Sequence, residues 1–285
     1  MNSDRVYMLA ADHRWQWEEW CDARSMPRAR IAEVKRLAYD GFLLARNRSA
    51  AVREYGALLI DEQYASPVIT DALKAGVNVG TPAEKAGAFP LTWSEPFSRA
   101  LTGAFAKVLV RHRPDDDVEI REGQWAKLNA LQTWCHGAGK PLVIEVLVPR
   151  RHEPEEAFDA SGRPAMLAGF IGEAYRRALA PDFWKIEGTR SPEGAGIIDA
   201  AIAADSWCRQ IILGKAADLS TIDRWFAAAA GSTTAVGFAI GRSVFWEPSE
   251  AFLSGTRTAE QAAADICANY LHLVDAWEAT RIPNP

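Results

Sequence analysis

Short apolar runs recur along the chain, and stretches with helical spacing stand between them. Val6–Ala11 reads as a first strand and ends in Asp12-His13-Arg14. Pro27 then opens a helix over Arg28–Arg46, with Ile31, Val34, Leu37, Ala38, Phe42 and Leu43 at helical spacing. Gly56–Ile60 gives a second strand, followed by a helix through Ala75 that Gly76 stops. Val77–Val79 is a third strand and Ala106–Arg111 a fourth; a helix over Glu122–Cys135 leads to the fifth, Pro141–Val148. The polar stretch Pro149–Pro164 is longer than usual between a strand and a helix, which predicts a lid or binding loop. A helix to Leu179 precedes the sixth strand, within Asp182–Gly188, and another leads to the seventh, Ile211–Lys215. Asp218 or Ser220 caps the next helix. Ala235–Ile240 is the eighth strand, and Thr258–Ala279 a last helix with an apolar stripe.

The runs are mostly continuous rather than alternating, as in parallel strands buried on both faces. Strict strand–helix alternation permits a doubly wound sheet or a closed barrel. Eight units, with no glycine-rich dinucleotide motif after the first strand, favour a (β/α)8 TIM barrel, expected as one domain over residues 1–285.

Three of these strands carry charge inside apolar surroundings. Strand side chains alternate, so Lys185 and Glu187 share one face of the sixth strand while Trp184 and Ile186 share the other. Lys107, Leu109 and Arg111 share a face of the fourth strand, and Val143, Glu145 and Leu147 a face of the fifth. The plain alternative is an edge strand with Lys185 and Glu187 in water. A barrel instead places Lys107, Glu145 and Lys185 on neighbouring strands around one pocket. Two buried lysines lower each other's pKa, which frees an amine to attack a carbonyl carbon, and a carboxylate between them can move protons. That constellation suits carbon–carbon bond chemistry through an imine. Gly214 and the Gly241-Arg242 pair end strands seven and eight, where barrels of this kind commonly bind phosphate.

Composition narrows the partners. The 285 residues are 48% hydrophobic and 24% charged, with a net charge of −5, which argues against a general nucleic-acid binder. No apolar run approaches the roughly 20 residues of a membrane helix, and the N-terminus has no signal-peptide pattern. The four cysteines are scattered and form no C-x-x-C pair, as expected for reduced thiols in a cytoplasmic protein. Of five histidines only His13 and His112 fall near strand ends, so a zinc-dependent aldolase is disfavoured and no metal or cofactor is expected. Trp15, Trp17 and Trp20 are placed to line a pocket or an oligomer contact; most of the other tryptophans read as packing.

At these residues the sequence resembles a family. Asp12-His13-Arg14, Pro82–Gly87, Lys107–Arg111, Ile144–Pro149, Trp184–Gly188 and Gly237–Trp246 look like the aldolase-type domain fused after the sugar kinase in bacterial 5-dehydro-2-deoxygluconokinases of inositol catabolism. More distantly they resemble class I tagatose-1,6-bisphosphate and sulfofructose-phosphate aldolases. The kinase half of the fused form has no counterpart in this sequence. The resemblance implies a cofactor-free class I aldolase acting on a phosphorylated keto-sugar or keto-sugar acid, such as 6-phospho-5-dehydro-2-deoxygluconate, and a homo-oligomer as a possible assembly. It implies Lys185 as the Schiff-base residue, Glu145 as acid/base and Lys107 as supporting cation. Asp12 would contact substrate hydroxyls, and Gly214, Gly241 and Arg242 would hold phosphate. Arg14, Asp61, Arg111 and Glu187 complete the expected substrate contacts. The alternative from another class is a non-catalytic barrel that binds a sugar phosphate.

Overall fold

The structure, a computed structural model, describes residues 4–204 and 207–281. Eight parallel strands close into a barrel in sequence order. They are β1 (Val6–Ala11), β2 (Gly56–Ile60), β3 (Asn78–Pro82), β4 (Phe105–Arg111), β5 (Leu142–Leu147), β6 (Phe183–Glu187), β7 (Arg209–Leu213) and β8 (Ala235–Ile240). β8 pairs back onto β1, with Val6 opposite Gly237 and Leu9 opposite Ile240. The (β/α)8 TIM barrel expected from the alternation is therefore the architecture, and β6 is a wall strand between β5 and β7 rather than an edge.

Twelve α-helices accompany the strands among the described residues. After β1 come α1 (Trp15–Ala23), α2 (Ile31–Arg48) and α3 (Ala50–Tyr55). α4 (Glu62–Lys74) follows β2, α5 (Phe97–Ala100) precedes β4, and α6 (Val118–Ala138) precedes β5. Next are α7 (Glu155–Ala157), α8 (Arg163–Arg176), α9 (Pro192–Ala203) and α10 (Leu219–Ala228). α11 (Arg242–Leu253) and α12 (Ala259–Ala279) close the chain. Of the two expected caps, Asp218 is the one used: its carboxylate accepts the Thr221 N–H at 2.8 Å. Thr258 caps α12 in a reciprocal pair with Gln261.

The stretch Pro149–Pro164 is not an open loop throughout, being helical from Glu155 onward. Pro154 leads into α7, a π-helical turn over Phe158–Gly162, and then α8 without a break. Glu155 and Glu156 suit the positive helix start, and Arg163 pairs with Asp159 one turn back. The preceding residues are tied down as well: Arg151 pairs with Asp115 and Asp116, and Glu153 with Arg113.

Apolar side chains fill the barrel in layers. Val6, Met8, Ala57, Leu59, Phe105, Val143, Phe183 and Ile211 pack together inside. Trp184 and Ile186 face outward into a cluster shared with α6 and α8, so the expected alternation of β6 holds. Trp17, Trp20, Phe42 and Tyr270 belong to the helix-facing cluster on the opposite side. No described helix is long and apolar enough to cross a membrane, and the four cysteines are buried.

Candidate active site

Above the apolar layer, at the C-terminal ends of the strands, the barrel interior turns charged. β4, β5 and β6 lie side by side, and Glu145 is in register with Leu109 on one side and Lys185 on the other. Lys185 is 4% exposed, Lys107 2% and Glu145 7%. Both ammonium groups meet the same carboxylate oxygen, Glu145 Oε2: Lys107 Nζ at 2.9 Å and Lys185 Nζ at 3.0 Å. Lys107 has two further anionic partners, Asp12 Oδ2 at 2.9 Å and Glu84 Oε1 at 3.0 Å.

This asymmetry fixes the charges. Burial alone would lower the Lys107 ammonium, but Asp12, Glu145 and Glu84 outweigh it and hold it well above the ordinary lysine range. The expectation that the two lysines depress each other fails for Lys107 because three carboxylates surround it. Burial likewise opposes the charge on Asp12 and Glu145, yet Lys107 and Lys185 keep both carboxyls below their ordinary range. His13 is pushed down to about 3, first by burial and then by the charges of Arg242, Lys185 and Lys35, so its imidazole is neutral.

The cavity encloses about 250 Å³ and takes in Asp12, His13, Arg14, Lys107, Arg111, Glu145, Lys185, Gly214, Gly241 and Arg242. Nine of the residues expected from sequence thus line one space. Cations stand on both sides of Lys185, with Lys215 and Arg242 on the β7–β8 side and Arg111 and Lys85 on the β3–β4 side. His13 Nδ1, Arg14 Nε and Arg242 Nε are buried without a hydrogen-bond partner among the described residues.

Over residues 1–281 the sequence matches the family DUF2090, described as "Uncharacterized protein conserved in bacteria". The chain belongs to the DUF2090 family. No curated protein matches the sequence. Solved structures do match the DUF2090 fold. One is a Schiff-base-forming fructose-1,6-bisphosphate aldolase, at 14% identity and a TM-score of 0.58, covering 95% of this chain and 94% of its own. An archaeal fructose-1,6-bisphosphate aldolase matches at 12% identity and 0.58, covering 97% and 95%. The fructose-bisphosphate aldolase of Slackia heliotrinireducens matches at 12% and 0.57, covering 93% and 86%. At these identities the likeness is one of fold.

Two residues expected to touch substrate lie elsewhere in this DUF2090 barrel. Asp61 does not line the cavity. It is fully buried against Lys35, with Nζ–Oδ2 at 2.6 Å, and its other oxygen accepts the Tyr64 N–H at the start of α4. Glu187 is also outside the cavity lining. Arg163 holds it at 3.1 Å and Lys215 at 3.0 Å, so its charge is already matched. Among the expected phosphate residues, Gly241 has a packing reason of its own, because a Cβ there would sit 1.9 Å from the Ala10 carbonyl oxygen. His112 packs its ring against Phe170 and Trp125, away from the cavity. Of the three early tryptophans, Trp15 lines the cavity, whereas Trp17 stacks on Trp246 at 3.8 Å.

The structure gives positions in the site to Glu84, Lys85 and Lys215, polar residues near strand ends to which the sequence assigns no role. Glu84 accepts from Lys107, from Arg14 at 3.3 Å and from the Leu109 N–H at 3.1 Å, tying the ends of β1, β3 and β4 together. The turn Lys85–Ala88 forms part of the rim, with Gly87 at φ +72° against the Trp15 ring. Lys215 lies beyond β7 rather than in it, with Lys215 and Ala216 both left-handed at φ 47° and 62°.

Proposed function

We propose that this chain is a class I aldolase that forms an imine between Lys185 and the ketone of a phosphorylated keto-sugar or keto-sugar acid. The observation that carries the reading is the unequal pairing of two buried lysines on one carboxylate oxygen. Lys107, matched by three carboxylates, keeps its proton. Among the described residues Lys185 is bonded to Glu145 alone, and it is the amine that can hand a proton to that carboxylate. The neutral amine adds to the ketone carbon, Glu145 returns its proton to the carbonyl oxygen, and that oxygen leaves as water to give the iminium and a free Glu145 carboxylate. The iminium then accepts the electron pair of the breaking carbon–carbon bond. Glu145 takes the proton of the neighbouring hydroxyl, and the aldehyde departs. The enamine left on Lys185 takes a proton back at carbon, and water releases the ketone product.

The remaining residues fit roles around that step. Asp12, fixed by Lys107, is the substrate-hydroxyl contact. Arg242 supplies a guanidinium whose Nε lacks a hydrogen-bond partner among the described residues, and with Gly214 and Gly241 it forms the phosphate end. Arg14 and Arg111, both in the cavity lining, are the cations for a second anionic group such as the carboxylate of 6-phospho-5-dehydro-2-deoxygluconate, which would be cleaved to dihydroxyacetone phosphate and malonate semialdehyde. The reading takes residues 1–285 as one catalytic domain acting in the cytoplasm on a small-molecule substrate.

The test couples dihydroxyacetone phosphate release to NADH oxidation by glycerol-3-phosphate dehydrogenase. The candidate substrates are 6-phospho-5-dehydro-2-deoxygluconate, tagatose-1,6-bisphosphate and sulfofructose phosphate. Release from the first, at a rate unaffected by EDTA, is expected. Activity lost in EDTA and restored by zinc would overturn the imine chemistry. No release from any of the three would remove the ketose-phosphate assignment.

A further inference from the structure

Lys35 belongs to α2, in the outer layer, yet its ammonium ends against the active end of β1. It is 0% exposed. Its ammonium donates to Ala11 O at 2.5 Å and to His13 O at 2.6 Å, and it forms an ion pair with Asp61 Oδ2 at 2.6 Å. Asp61 is itself held, because its other oxygen accepts the Tyr64 N–H at 2.9 Å. Nothing about packing a helix on a strand calls for an ion pair here. Val34, Leu37 and Ala38 of the same helix pack with apolar contacts alone. A buried ion pair is often no more stabilising than an apolar pair of the same volume, so its presence points to a geometric task.

The task is visible in what Lys35 holds. Ala11 O belongs to the peptide before Asp12, and His13 O to the peptide after His13. Asp12 and His13, both in the cavity lining, are clamped between two pinned peptide planes. Asp12 in turn anchors Lys107, and Lys107 anchors Glu145. We propose that Lys35, braced by Asp61, is a positioning residue that sets the Asp12 carboxylate for the chemistry in the cavity. It does not touch substrate, since it is fully buried behind β1 and outside the cavity lining. A displacement of about 1 Å at a reacting group is enough to lower a rate roughly 100-fold. The inference rests on the imine reading, and the experiment separates the two.

Dihydroxyacetone phosphate alone is the probe, with two readouts. Borohydride reduction traps the imine on Lys185. Exchange of the C3 proton into D2O, followed by NMR, reports enamine formation: the C–H electron pair enters the iminium, the proton leaves to the cavity base and solvent, and a deuteron returns. Lys35→Met alone leaves the Asp61 charge unpaired in the core and endangers folding. Lys35→Met with Asp61→Asn removes both charges, and the new amide side chain still offers an oxygen to the Tyr64 N–H. In this double variant trapping is expected to persist while exchange falls about 100-fold. In an Asp12→Asn background the same pair of changes is expected to cause no further fall, because Lys35 acts through Asp12. Exchange at the wild-type rate in the double variant overturns the proposal. So does an equal further fall on top of Asp12→Asn, which would mark general loosening. A wild-type protein that neither traps nor exchanges the probe overturns the imine reading and this inference with it.

Discussion

The two ends of the barrel interior differ in kind. The lower layer is filled by Val6, Met8, Leu59, Phe105, Val143, Phe183 and Ile211. The layer above holds Lys107, Glu145 and Lys185 on three of the same strands. One step of the strand alternation, from Phe105 to Lys107, from Val143 to Glu145 and from Phe183 to Lys185, crosses from packing to chemistry. The lower layer is held by area removed from water and tolerates no charge. The upper layer is held by charges that only one another can satisfy, with Asp12 and Glu84 completing the set. The barrel's stability and its reactivity should therefore be separable by mutation.

The largest effect is expected from Lys185→Met. Glu145 keeps Lys107 as a partner, so the protein should fold and melt near wild type, while turnover falls by at least about 10³-fold because no imine can form. Steady-state kinetics beside a thermal melt checks both halves. Phe105→Ala, on the lower layer, should do the reverse. It should lose about 3–5 kcal/mol of stability in urea unfolding, while the folded fraction keeps its rate. A severe kcat loss there would mean that the two layers are coupled. Arg242→Met should be milder, raising KM for a phosphorylated substrate about 10–100-fold with little change in kcat, since a lost anion contact weakens ground and transition states alike.

The smallest expected effect is on pH dependence. The folded values of Asp12, Glu145 and His13 lie below their unfolded ones, so the unfolded chain binds more protons in acid. Stability from these groups is present above their unfolded values and drains as the pH falls, beginning near the ordinary histidine range and steepening near the carboxylate range. Lys107 works the other way: its contribution is complete below the ordinary lysine value and is lost as the pH climbs through its raised folded one. In His13→Gln the urea midpoint should fall less between pH 7 and pH 5 than in wild type. An unchanged slope would remove His13 from this account.

Much of the fold was legible in the sequence. Val6–Ala11, Gly56–Ile60 and Ala235–Ile240 are apolar runs with abrupt polar or glycine ends, and their bounds in the structure are those of the pattern. Charge inside three such runs located the lysine pair, because a barrel strand has nowhere else to point an inward side chain. α1 escaped because its tryptophans read as a binding surface, although Trp17, Trp20 and Cys21 fall at helical spacing and are buried. The polar stretch from Pro149 escaped because its polarity reads as a loop, whereas Glu155, Glu156 and the Asp159–Arg163 pair favour a helix start. Asp61 reads as a site residue because it ends a strand; it also begins a helix, and capping α4 turns it away from the cavity. Lys35 does leave a signal, a lysine four residues after Ile31 and three before Ala38 on the buried stripe of α2. What no sequence pattern could give is that both lysines share one oxygen, since that depends on strand register across the closed barrel.

The most direct test of the central claim is covalent. Wild-type protein is incubated with dihydroxyacetone phosphate and borohydride, then analysed by intact mass and peptide mapping. One reduced adduct per chain is expected, on Lys185, absent in Lys185→Met and undiminished by EDTA. An adduct on Lys107 instead, or none on folded wild-type protein, would contradict that claim.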